Sequence, residues 1–106
     1  MKDVFKAIAD PTRREILIMV CKQPTSVNEI AEQFDMSRPA VSKHIKILES
    51  SDLIRMQSDS DDARQRNCYA QLSALQEVTD YMNQLESFWE DKLGKLDMHL
   101  NEFKKD

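Results

Sequence analysis

Apolar residues along this chain fall into short runs at helical spacing, switch once to strict alternation, and from Val78 onward settle into one long helical stripe. The first run, Val4, Phe5 and Ile8, predicts a short helix over Lys2 to Ala9. Asp10-Pro11 punctuates it, with Asp as cap and Pro in the first helical position. The helix that follows carries Ile16, Leu17, Val20 and Cys21 on one stripe and ends before Pro24. Arg13 and Arg14 stand in its first turn, where the helix dipole disfavours cations. That suits a phosphate or an acidic neighbour, or else marks a plain surface pair.

From Ser26 to Ser51 the pattern is two short helices joined by a tight turn. Ser26-Val27-Asn28-Glu29 is a capping box, followed by Val27, Ile30, Ala31 and Phe34 on one face. Asp35-Met36 makes the turn, Ser37 caps the second helix, and Pro39 sits in the first turn, where an N–H has no intrahelical partner. Met36 and Val41 hold the N′ and N4 positions of a hydrophobic staple. In the second helix Ala40, Val41, His44, Ile45, Ile47, Leu48 and Ser51 share one arc, against Arg38, Pro39, Ser42, Lys43, Lys46, Glu49 and Ser50. An apolar back and a basic, hydroxylated front fit a recognition helix entering a DNA major groove. Taken alone such a front also fits a solvated basic face; the paired caps and the flanking elements favour DNA.

Residues 53–57 alternate, a polar tip follows, and Gln65 to Leu72 alternate again with Cys68, Ala70 and Leu72 facing one way. That predicts a β-hairpin, and directly after a recognition-type helix a hairpin makes a wing. Ser73 is the expected cap of the last helix. Its stripe is Val78, Met82, Leu85, Trp89, Leu93, Leu96, Leu100 and Phe103, in steps of three and four. About thirty helical residues reach on the order of 45 Å, beyond the small head before them, so the stripe needs a partner. A second copy is the simplest. Gly94 costs about 1 kcal/mol inside a helix and marks a bend, a break or a close approach. The expected fold is mainly α with a small β-hairpin: a winged helix-turn-helix with a long C-terminal dimerisation helix. Residues 1–72 form the DNA-binding part (helix-turn-helix 26–51, wing 53–72), and residues 73–106 the dimerisation helix of the same domain.

The net charge of −4 argues against a nonspecific polycation, but its distribution is uneven. Residues 1–35 carry −1, residues 36–72 carry +1 and residues 73–106 carry −4. Basic surface is thus local, as in a protein that meets phosphates on one face. A single glycine and two histidines leave no phosphate-cradling loop and no nucleophile–base pair, which disfavours an enzyme. Cys21 and Cys68 lack metal or redox spacing and read as buried or half-buried reduced thiols, a redox switch between them staying open. No apolar run crosses a bilayer, and MKDVFKAIADP has acidic residues where a signal peptide needs an apolar core, so a cytoplasmic protein is expected.

FKAIADPTRREIL (5–17), SVNEIAEQFDMSRPAVSKHIKILES (26–50), Leu53-Ile54, CYAQLSALQEV (68–78) and FWEDKLGKLD (88–97) together resemble the arsenic-repressor-like (ArsR/SmtB-type) winged-helix regulators. The resemblance covers nearly the whole chain in order. It implies a dimeric repressor that binds operator DNA and leaves it when an effector arrives. It places Ser37, Arg38, Pro39, Ser42, Lys43 and Lys46 on the DNA-facing part of the recognition helix, and Arg64 and Arg66 on a basic wing. The closing Phe88–Leu93 block looks like the branch without the family's metal ligands. Metal-sensing members carry cysteines where this chain has Ser26 and Asn28, neither able to supply a thiolate. Their other site uses Asp and His early in the last helix, whereas Asp97-Met98-His99 comes too near its end. Asp59, Asp61 and Asp62 also depart, putting negative charge at the wing tip.

The sequence therefore predicts a homodimeric, metal-independent DNA-binding repressor with no cofactor, on a pseudo-palindromic double-stranded operator. Arg38 is expected to read a base and Lys43 and Lys46 to sit on phosphates. His44 reads as a packing histidine in preference to a sensor, and Phe88 and Trp89 as interface core in preference to a ligand cage. The alternative is a winged-helix protein–protein module or antirepressor, favoured by the acidic wing and tail. Operator and effector are not named by the residues.

Overall fold

The computed structural model describes residues 3–58 and 66–93. The expectations for Asp59, Asp61, Asp62 and Arg64 at the wing tip, and for Gly94, Leu96, Asp97 to His99, Leu100 and Phe103 in the last helix, lie outside them. The chain divides into two compact units after Gln76.

In the first unit the helices are α1 (Val4–Ala7), α2 (Pro11–Lys22), α3 (Val27–Phe34) and α4 (Arg38–Ser50). The strands are β1 (Thr25–Ser26), β2 (Ile54–Ser58) and β3 (Arg66–Ala70), all antiparallel in the order β1-β3-β2. The expected winged helix-turn-helix is present. Asp10 caps α2 by accepting from Arg13 N–H at 3.0 Å, with Pro11 in the first position. The capping box of α3 closes both ways: Glu29 N–H donates to Ser26 Oγ at 3.2 Å and Ser26 N–H to Glu29 Oε1 at 3.0 Å.

Helices α3 and α4 both end in Schellman motifs, and each is built on an aspartate. Asp35 (φ 51°) and Asp52 (φ 62°) occupy the left-handed region where glycine is usual. Met36 N–H reaches Ala31 O at 3.1 Å and Asp35 N–H reaches Glu32 O at 3.4 Å. At the end of α4, Leu53 N–H reaches Leu48 O and Asp52 N–H reaches Glu49 O, both at 3.0 Å. The second motif drops the chain into β2, which pairs with β3 from Ile54↔Ala70 to Ser58↔Arg66. Val4 and Ala7 from α1, Ile16, Leu17 and Val20 from α2, and Ile30 from α3 are buried in this unit's core. They are joined by Val41, Ile45 and Leu48 from α4, by Leu53 and Ile54, and by Cys68 from β3.

Four local expectations are corrected. Helix α1 spans four residues only: Asp3 caps its start by accepting from Lys6 N–H, and the chain turns at Ile8 ahead of the Asp10-Pro11 start of α2. Cys21 is exposed, at the edge of the α2 stripe, while Cys68 is buried as expected. Ile47 is exposed too, at the edge of the apolar arc of α4. Ser73 does not cap the last helix: Leu72–Leu75 form a 3₁₀ turn, and α5 (Gln76–Leu93) begins after it. Strand β1 was not expected at all.

In the second unit, α5 buries none of its described residues. Val78 and Leu93 are half-buried, whereas Tyr81, Met82, Leu85, Phe88 (70% exposed) and Trp89 (46%) face solvent. No helix among the described residues is long and apolar enough to cross a membrane.

Candidate nucleic-acid interface

Helix α4 is held from behind. Val41, Ile45 and Leu48 recur at steps of four and three and are buried, which fixes the opposite surface outward. Ser37 starts the helix by accepting Ala40 N–H on its hydroxyl at 3.3 Å, and Pro39 follows in the first turn. This places Ser37, Arg38 and Pro39, all exposed, at the N-terminal end of α4. Lys43 and Lys46 are exposed and Ser42 beside them is half-buried. The structure thus brings Arg38, Ser42, Lys43 and Lys46 onto one outward surface. The α4 dipole adds a partial positive charge at its leading end.

Arg66 is exposed at the tip end of β3, in register with Ser58. Its partner in the predicted basic wing, Arg64, is outside the described residues. Arg55 joins Arg66 on the hairpin and was missed from sequence. It projects from the solvent side of β2 with its guanidinium 4.6 Å from the centre of the Tyr69 ring, and it donates to Gln57 Oε1. The signal was available: an arginine directly across the hairpin from a tyrosine, Arg55↔Tyr69, is a cross-strand cation–π pair.

The residues at the expected metal positions do not fit a metal. Ser26 Oγ is committed to Glu29 N–H, and Asn28 is an exposed amide. Among the described residues no three His, Cys, Asp or Glu side chains gather as a ligand set. Two carboxylates are perturbed by capping. The Asp10 carboxyl is held below its ordinary value chiefly by the hydrogen bond from Arg13 N–H, and Glu29 by those from Ser26. Burial pushes the Cys68 thiol up to about 11, with the nearby Glu49 charge adding to the effect; its Sγ lies 3.4 Å from Met56 Sδ.

Residues 10–55, the stretch from α2 to the start of β2, match the model of the bacterial regulatory protein arsR family. The transcriptional repressor SdpR of Bacillus subtilis is 44% identical over 54 residues, 51% of this chain and 60% of SdpR, so the chain spans under two thirds of that relative. An uncharacterised HTH-type transcriptional regulator of Methanocaldococcus jannaschii is 34% identical over 70 residues, 63% of this chain and 74% of that protein. The crystal structure of the ArsR family transcriptional regulator RHA00566 superposes with a TM-score of 0.73 at 33% identity, over 85% of this chain and 97% of that one.

Proposed function

This chain belongs to the arsR family of DNA-binding transcriptional regulators and is not an enzyme, and from that premise we propose that it is a homodimeric, metal-independent repressor of a pseudo-palindromic operator. The observation that carries the reading is α4, capped at Ser37, buried behind and basic in front. In this account Arg38 reads a base, because a guanidinium pairs bidentately with guanine in the major groove. Lys43 and Lys46, with Arg64 and Arg66 on the wing, sit on phosphates, and Ser37, Pro39 and Ser42 lie along the same contact.

Pairing is assigned to the stripe that begins at Val78 and runs through Met82, Leu85, Trp89 and Leu93 toward Leu96, Leu100 and Phe103. Exposed Leu85, Phe88 and Trp89 on α5 support it, since large apolar side chains of this number seldom face water unpartnered. Two copies would then set their α4 helices in successive major grooves, about 34–36 Å apart. Residues 1–72 serve as the DNA-binding part and 73–106 as the pairing helix, with the protein acting in the cytoplasm. Repression is supported by the likeness to SdpR, and metal independence by Ser26 and Asn28.

The test is fluorescence anisotropy on the duplex upstream of the chain's own gene, at two salt concentrations and with and without chelator. Salt-sensitive, chelator-indifferent binding with two chains per site is the expected result. Affinity that follows added zinc would overturn metal independence. No preference for that duplex over a random one would count against an autorepressor and point to a distant operator or to the protein-partner reading.

A further inference from the structure

We propose that Arg13 is a positioning residue for DNA reading: by bridging the end of α1 to His44 it fixes the roll of α4 and so the direction in which Arg38 points. This rests on α4 being the reading helix. The Arg13 guanidinium is spread over three acceptors from two elements. Its Nε–H donates to Ala7 O at 2.7 Å, one terminal nitrogen to Lys6 O at 3.1 Å, and the other meets His44 Nδ1 at 3.3 Å. Its backbone N–H is held by Asp10, so both ends of the residue are anchored. A guanidinium only donates, so this contact uses His44 Nδ1 as the acceptor.

His44 lies two residues from both Ser42 and Lys46, about 200° round the helix at 3.6 residues per turn. The bridge therefore grips α4 on the side away from them. A second tie lies at the helix end, where buried Ser51 Oγ donates to Asp3 O at 3.3 Å. Apolar packing sets which side of α4 faces outward, and the directional hydrogen bonds of the bridge hold its roll more narrowly. A 20° roll moves groups at a side-chain radius of ~5–6 Å by roughly 2 Å, enough to break a base-edge contact. Lysine cannot replace Arg13, since one ammonium does not reach three acceptors set apart along a planar fork.

The experiment uses the full chain, a duplex it selects from a random pool, and an unselected duplex. Arg13→Lys and His44→Leu remove the bridge from either side. His44→Asn keeps an oxygen acceptor near the Nδ1 position. All are checked for folding by circular dichroism and melting temperature. Arg13→Lys and His44→Leu are expected to hold affinity for the unselected duplex and the salt slope, while preference for the selected one falls roughly tenfold or more. His44→Asn should restore most of that preference, and the two bridge-removing changes combined should cost no more than either alone. Folded variants that keep full preference, or His44→Asn falling as far as His44→Leu, would overturn the proposal and leave the DNA-reading function standing. A wild-type chain that enriches no sequence at all would remove both.

Discussion

At the residue scale, the two arginines in the first turn of α2 stand against the helix dipole because α1 ends beside them. Arg13 takes the carbonyls of Lys6 and Ala7, and Arg14 those of Ile8 and Ala9, at 2.7 to 3.1 Å. Neither a phosphate nor an acidic neighbour was needed; the acceptors are backbone, which no side-chain pattern reveals. The aspartates at positive φ are a second case. A chain with one glycine has to turn out of α3 and α4 on other residues, and aspartate tolerates the left-handed region better than most. Asp35→Val should therefore lower folding stability by about 1–2 kcal/mol, while Asp35→Gly should leave it level or raise it. Urea midpoints of the three proteins decide this, and a valine variant as stable as wild type would contradict the backbone reading. The cysteines separate in the same way. Cys68 is buried with its thiol near 11, whereas Cys21 is exposed, so a thiol reagent at pH 8 should modify Cys21 fast and Cys68 only on unfolding. Equal labelling rates would show that Cys68 is open to solvent.

At the element scale, what the sequence disclosed was what local rules govern. The cap of α2, the capping box of α3, the Ser37 cap and the pairing of β2 with β3 all depend on neighbours within a few residues, and all appear, except that β3 stops at Ala70 and leaves Leu72 exposed in the turn after it. Strand β1 escaped because two residues, Thr25 and Ser26, show no period; only β3, some forty positions on, makes them a strand. Ile47 and Cys21 sat at stripe edges, where periodicity does not decide burial. Ser73 looked like a cap, but the 3₁₀ turn delays α5 to Gln76. The caps also set a pH dependence. Asp10 and Glu29 have folded values below their ordinary 3.8 and 4.5. Their stabilisation is therefore full above those values and is lost as pH falls through the folded ones. Urea midpoints measured from pH 6 to pH 3 should fall, and fall less steeply in Glu29→Gln, which keeps a capping-box acceptor that does not titrate. Identical acid profiles would show that Glu29 contributes nothing through its charge.

At the scale of the whole molecule, the two units differ in what they bury. The head closes its own core, while α5 leaves Tyr81, Met82, Leu85, Phe88 and Trp89 to solvent. The sequence carried this too, since the apolar steps from Val78 onward make a stripe that needs a partner. What it did not carry was the contact of Arg13 in α2 with His44 in α4, thirty-one positions apart. The proposed pairing predicts that Trp89→Asp converts a sedimenting dimer to monomer and weakens operator binding together with it. A variant that stays dimeric would move the interface off α5.

The central claim is that the exposed face of α4 reads DNA, and the most direct test compares Arg38→Ala and Lys46→Ala on a selected and an unselected duplex across a salt series. Arg38→Ala should erase about 1–3 kcal/mol of preference. Lys46→Ala should weaken both duplexes alike and reduce the salt slope by roughly one. Unchanged relative affinities in Arg38→Ala, with an unchanged slope in Lys46→Ala, would contradict the assignment of this face to DNA.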